Sequence, residues 1–320
     1  MIPQRNANWW SSMPPATKNL IVINLVIWLI EVLMPRFTTT LLNHTALHFW
    51  GSDMFNPIQL VTYMFLHDPG SVWHILFNMF TLWMFGRILE QTWGTWRFLL
   101  FYFVCGIGAA MTQEVVWQLS WLNEYAAGIA PQNGLTVPHM EQVIRTALAD
   151  GDINFMQAAH AFKSMLTTVG ASGAIFGLLL GFAFTFPDMP LYLFFIPVPI
   201  KAKYMVIGYG VLEFFLGISG SQSTVAHFAH LGGLIFGFLM IMWWKYSGTW
   251  KRNFRMRFQK PPAYRGPRRD REFDLGSIDT GKLEDRRRLN ELLDKIRISG
   301  YASLTMAERD ELRRLSERIR

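Results

Sequence analysis

The chain has 320 residues, of which 51% are hydrophobic, with 13 Trp, 26 Phe, a formal charge of +7 and one cysteine. The apolar residues crowd ahead of Lys245, whereas the last quarter is heavily charged, so the average hides two kinds of sequence and excludes an ordinary soluble domain throughout. Cys105, alone within the apolar run Phe98 to Ala110, excludes both a disulfide framework and a thiolate-ligated metal site.

In chain order, six stretches approach the roughly 20 apolar residues that a helix needs to cross the hydrocarbon core. They are Leu20 to Met34, Val72 to Leu89, Phe98 to Trp117, Val169 to Phe186, Tyr204 to Ile218 and Val225 to Trp244. The first resembles a signal-peptide core in length, but it holds Glu31, lacks a small-x-small cleavage pattern and precedes further spans, so it reads as a retained helix. The pattern predicts an all-α polytopic membrane protein, a six-transmembrane-helix bundle with a short helical tail.

Charge sets the expected orientation, because Lys and Arg near span ends stay in the cytoplasm. Arg5, Lys18, Arg87, Arg97, Lys201, Lys203 and the basic stretch from Lys245 fall on one face; Arg36, Arg145 and Lys163, diluted by Glu124, Glu141, Asp150 and Asp152, fall on the other. Both termini are therefore expected in the cytoplasm. The expected organisation is a cytoplasmic tail at 1–19, a membrane domain at 20–247, a basic linker at 248–281 and a small helical module at 282–320. Within the membrane domain, Arg36 to Ser71 is an aromatic-rich external connection, and 122–168 is an extramembrane insertion whose amphipathic stretch Met140 to Met165 predicts helices.

The linker's Lys251 to Arg271 is basic and proline-rich, which suits either a tether to anionic lipid or a solubilising tail. Two short helices are predicted after it, Lys282 to Ile298 and Thr305 to Ile319, the second opened by a Thr305–Glu308 capping box. What this module binds is not legible.

Polar residues inside spans are costly, so each calls for a reason. His74, Asn78, Ser172 and His230 lie within about two turns of the outer ends of the second, fourth and sixth predicted spans, where they can form one layer. Gly173, Gly177 and Gly181 repeat every four residues on one span, as do Gly233 and Gly237 on another; small-xxx-small rows let helix backbones approach closely. His230, Gly233 and Gly237 share a face, so packing through the glycines would bring the imidazole to Ser172. A serine beside a histidine is an activated nucleophile. His74 and Asn78, at i and i+4, supply hydrogen-bond donors for an oxyanion, or else simply satisfy each other and a helix carbonyl.

The spans hold no aspartate, so a Ser-His dyad is the simpler assignment. Glu31 and Glu213 could each orient a histidine or sit in a helix interface, and the structural reading is preferred. His227, one turn before His230, competes for the role of base.

From Phe55 to about Trp244 the motifs resemble those of the rhomboid intramembrane proteases. Gly170-Ala171-Ser172-Gly173 is similar to the family's GxSG nucleophile motif, and Ala229-His230-Leu231-Gly232-Gly233 through Gly237 to its AHxxGxxxG motif. His74 to Asn78 resembles the HxxxN segment, and Gly86, Glu90 and Gly94 have GxxxExxxG spacing. The resemblance implies a rhomboid-like bundle and a serine endopeptidase that cuts transmembrane protein substrates, with lateral substrate access past the fifth span. In it Ser172 would be nucleophile, His230 general base, and His74, Asn78 and the Ser172 amide the oxyanion donors. No metal, organic cofactor or nucleic-acid partner is implied; the partners are membrane-spanning substrates and lipids. Where many relatives carry Trp-Arg in the first external loop, this chain has Ile58-Gln59. The competing readings are an inactive rhomboid-like scaffold that binds membrane proteins and a small-solute transporter using the intramembrane glutamates and histidines.

Overall fold

The computed structural model describes residues 13–193, 196–219, 226–247 and 280–318. Arg5, Val225 and the basic stretch Lys251 to Arg271 lie outside these residues. The chain divides into two compact units, Met1–Gln259 and Lys260–Arg320.

The first unit is mostly helical. Helix α1 (Pro15–Leu33) opens with proline in its first turn, where a missing N–H costs nothing, and ends before Pro35, which disfavours helical geometry at Met34. Helix α2 (Pro35–Thr45) follows, then strand β1 (Leu47–His48) and the short helix α3 (Gln59–Thr62). The second predicted span is α4 (Val72–Thr81), a π-helical turn at Leu82–Gly86, and α5 (Arg87–Trp93). It stops at Gly94, whose φ of 87° suits glycine. Helix α6 (Thr95–Ile129) runs for 35 residues, about 52 Å at 1.5 Å per residue, and so overshoots the hydrocarbon core of about 30 Å.

Among the described residues, four helical segments are long and apolar enough to cross a membrane: Pro15–Leu33, Val72–Trp93, Thr95–Ile129 and His227–Tyr246, the last being α11. The fourth and fifth expected spans form shorter helices, α9 (Ser172–Thr185, 14 residues) and α10 (Ala202–Ile218, 17 residues). Helix α9 is enclosed on nearly every side, packing against α6, α11 and α10.

Glycine sets the spacing at the centre. A Cβ on Gly233 would overlap the Gly173 carbonyl, and one on Gly237 would meet Gly177 Cα at 3.3 Å, so the two glycine rows bring α11 onto α9 backbone to backbone. A Cβ on Gly177 would overlap Cys105 of α6, so the lone cysteine is a buried packing group at the same junction.

Glu90 explains how the ends of the first two spans are joined. Its carboxylate accepts hydrogen bonds from the amides of Ala16 (3.0 Å) and Thr17 (2.7 Å) and from the hydroxyls of Thr17 and Thr95 (both 2.8 Å). An anion at a helix N-terminus satisfies amides that have no partner within the helix and complements its dipole.

The expected insertion is helical, but its first part is the continuation of α6. Helices α7 (Val137–Ala149) and α8 (Ile153–Met165) pack on that extension through Leu122, Tyr125, Ala126, Met140, Ile144 and Ala159. Gly151, at φ 75°, breaks α7 from α8, and Asp152 caps α8 by accepting from the amides of Asn154 and Phe155.

The all-α expectation needs a correction, since two short antiparallel pairs are present. Strand β1 pairs with β2 (Thr167–Thr168), and β3 (Pro190–Leu193) with β4 (Ile196–Lys201). A two-residue run carries no period-2 signal, and in β4 the alternation of Ile196, Val198 and Ile200 is masked by Pro197 and Pro199, which argue against a strand. The first pair ties the connection between α2 and α4 to the segment just before Ser172. Gln59 is fully buried in that connection: its oxygen accepts from the His48 amide (3.2 Å) and its nitrogen donates to the Met54 carbonyl (2.9 Å).

In the second unit, α12 (Thr280–Ser299) and α13 (Met306–Arg318) bury Leu292, Leu304 and Leu315 between them. The capping box forms as expected: the Glu308 carboxylate accepts from the Thr305 amide at 2.8 Å, and the Thr305 hydroxyl from the Glu308 amide at 3.3 Å.

Candidate active site

Ser172 is the first residue of α9 and His230 lies in the first turn of α11. The glycine seam between these helices therefore sets the separation of the two side chains: Ser172 Oγ is 2.8 Å from His230 Nε2, within hydrogen-bond reach. Ser172 is half-buried and His230 is 8% exposed.

The imidazole is held from two further directions. Phe176, one turn after Ser172 on α9, stacks on it with ring centroids 4.2 Å apart and planes 8° from parallel. Glu213 of α10 approaches from the Nδ1 side, with Oε2 3.0 Å from Nδ1 but off the direction of a well-formed N–H hydrogen bond, so the contact is chiefly electrostatic. The same oxygen is 2.7 Å from Nδ1 of His227. A carboxylate beside Nδ1 favours the tautomer with its proton there, leaving the Nε2 lone pair for Ser172.

Sequence reasoning preferred a structural role for Glu213 while leaving open that it orients a histidine, and the structure places its carboxylate beside Nδ1 of both His227 and His230. Glu31 keeps its structural reading: its Oε2 accepts from the backbone amide of His67 at 3.3 Å. His227 contacts Glu213, while His230 is the histidine bonded to Ser172.

His74 and Asn78 occupy the first two turns of α4. Gly170, at φ 127°, sits between His74 and the serine: a Cβ there would lie 2.9 Å from His74 Nε2 and 3.7 Å from Ser172 Oγ. The Asp68 amide points at His74 Nδ1 from 3.4 Å. With Nδ1 accepting, the ring proton sits on Nε2, the nitrogen on the Ser172 side. Asn78 donates one N–H to the His74 carbonyl at 2.7 Å, and a primary amide carries a second. Ser172's own amide is among the first four of α9, which lack intrahelical acceptors.

A family model described as "Rhomboid domain" matches residues 55–131 and 146–246. The chain belongs to the rhomboid family. The rhomboid match spans His74, Asn78, Ser172, Phe176, Glu213, His227 and His230, leaves Glu31 outside, and is interrupted at 132–145, the turn after α6 and the first part of α7. Comparison with curated proteins gives no match.

Phe176 went unremarked in the sequence, although its place four residues after Ser172 puts it on the nucleophile's helix face. No pattern in the sequence signals that Gln59 braces the connection between α2 and α4.

Proposed function

We propose that this rhomboid protein is an intramembrane serine endopeptidase acting on the transmembrane segments of other membrane proteins. The observation that carries the reading is the 2.8 Å contact between Ser172 Oγ and His230 Nε2, with Glu213 beside the opposite ring nitrogen. In the proposed reaction His230 Nε2 takes the Ser172 proton as Oγ attacks the scissile carbonyl, and Glu213 stabilises the imidazolium that forms. His230 then gives that proton to the leaving amine, and water, activated by the same imidazole, releases the acyl group.

Negative charge developing on the carbonyl oxygen would be met by the Ser172 amide, His74 Nε2–H and the free N–H of Asn78, donors fixed before reaction and therefore effective. The charge distribution supports a reading with six spans, α9 and α10 short and both termini cytoplasmic, in which this layer would lie toward the outer face. Helix α10, which shows Ile207, Val211, Phe214 and Phe215 to its surroundings, is the side from which a substrate helix would approach.

The test is cleavage of a model single-span substrate in proteoliposomes by the native protein beside Ser172→Ala and His230→Ala. Cleavage by the native form alone is expected. No cleavage by folded native protein, or equal cleavage by Ser172→Ala, would overturn the proposal and favour a binding scaffold.

A further inference from the structure

Glu213, His227 and His230 bring one carboxylate oxygen and two imidazole nitrogens within 4.8 Å of one another. Glu213 Oε2 lies 2.7 Å from His227 Nδ1 and 3.0 Å from His230 Nδ1, and all three side chains are only 10–11% exposed. Zinc bound to imidazole nitrogen and carboxylate oxygen at about 2.0–2.2 Å in tetrahedral geometry needs donors roughly 3.3 Å apart. The two short separations, 2.7 and 3.0 Å, lie about 0.6 and 0.3 Å below that value, so small side-chain movements would open them to it. A two-histidine, one-glutamate set also leaves the fourth position for water, a pattern that zinc accepts.

We propose that this trio is an inhibitory site for a divalent transition metal of the zinc type, distinct from a resident cofactor because the serine chemistry needs no metal. The inhibitory half rests on the protease reading above. Metal at Nδ1 of His230 takes that nitrogen's lone pair, and the proton it carried moves by exchange with water to Nε2. The imidazole then presents N–H, not a lone pair, to Ser172 Oγ, 2.8 Å away. It can no longer accept the serine proton. Binding also removes Glu213 from its place as counter-charge to the imidazolium, so both supports of the base are withdrawn by one ion. Zinc occupancy thus locks the catalytic histidine in the unproductive tautomer while leaving the serine untouched, and release of the metal restores it.

The experiment uses the full chain in two measurements. In detergent, Co2+ added to the metal-free protein should give the intense visible absorption of tetrahedral cobalt in the native form and in Ser172→Ala, and lose it in His227→Gln. In proteoliposomes, micromolar Zn2+ should lower native cleavage by about 10²-fold or more, the usual worth of a general base, with recovery on chelation. In His227→Gln, rates taken relative to that variant's own metal-free rate should escape this inhibition. No tetrahedral cobalt spectrum from folded native protein would overturn the site, and that measurement needs no variant. Equal zinc inhibition of native protein and His227→Gln would overturn the assignment to these residues. Absence of cleavage by the metal-free native protein would overturn the protease reading and the inhibitory half with it, leaving cobalt to decide the metal site.

Discussion

Along α9 and α11 the backbones approach so closely that Gly233 has no room for a side chain, whereas α10, on the Nδ1 side of the same imidazole, leaves Ile207, Val211, Phe214 and Phe215 exposed. One side of His230 is thus set by contact between two main chains, and the other by a single carboxylate on a helix that shares little surface with the core. A distance fixed by glycine backbones varies little, because carbonyls in two helices cannot yield independently. A distance fixed by a side chain on a lightly packed helix changes when that helix shifts. The Ser172–His230 contact belongs to the first kind and the Glu213 contact to the second, so the bond between Ser172 and His230 should outlast changes that move the Glu213 carboxylate.

Substitution at the seam should have the largest effect. Gly233→Val is expected to abolish assembly of the membrane unit, and Gly233→Ala to cost about 3 kcal/mol or more, the upper end for overpacking, because the clash is with a main-chain carbonyl. Thermal or denaturant unfolding in detergent, with cleavage as a second readout, would show it. A merely mild loss would mean that α9 and α11 can separate and that the contrast drawn here is too sharp.

Glu213→Gln should leave folding intact but lower kcat by between about tenfold and 10⁴-fold, the upper bound being the cost of losing a triad carboxylate, with little change in KM. An unchanged kcat would return Glu213 to a structural role.

Phe176→Leu removes the stack on His230, and with it about 0.5–1.5 kcal/mol of aromatic interaction. A loss in kcat of roughly two- to tenfold is expected. On α10, a Cβ at Gly208 would meet nothing within 4 Å. Gly208→Ala should change stability by no more than about 1 kcal/mol, in the stabilising direction, since alanine is the better helix former.

The smallest effect is expected in the second unit. Lys295, then the Thr305 amide and hydroxyl, hold the partly exposed Glu308 carboxyl down at about 2 from an ordinary 4.5. A depressed carboxyl stabilises the fold above its unfolded value and loses that contribution as pH falls through the folded one. Helicity of α13, read from amide chemical shifts in the full chain, should therefore decline between about pH 4.5 and 2 in the native protein. In Glu308→Gln the decline should be weaker.

Much of this was legible in the sequence, because membrane helices announce themselves by long apolar runs and glycine rows state which faces meet. His230, Gly233 and Gly237 on one face were enough to bring the base to Ser172. The neighbours of the imidazole were less legible. A carboxylate in an apolar helix says that it needs a partner but does not name one, so Glu213 was read as structural. The stacking ring of Phe176 is indistinguishable in sequence from any other core aromatic. Gln59 shows the same limit from the other direction: a changed motif residue was visible, while its new hydrogen bonds depended on how the loop folds back.

The length of α6 has a mechanical consequence. One unbroken rod runs from Thr95, beside the Glu90 clamp, past Cys105 at the glycine junction, to the platform on which α7 and α8 rest. Because its backbone hydrogen bonds run without a hinge, a tilt of roughly 5° about its near end would swing the far end by about 4.5 Å. Whatever leans on α7 and α8 pushes on a lever whose short arm lies against the helices that hold Ser172 and His230.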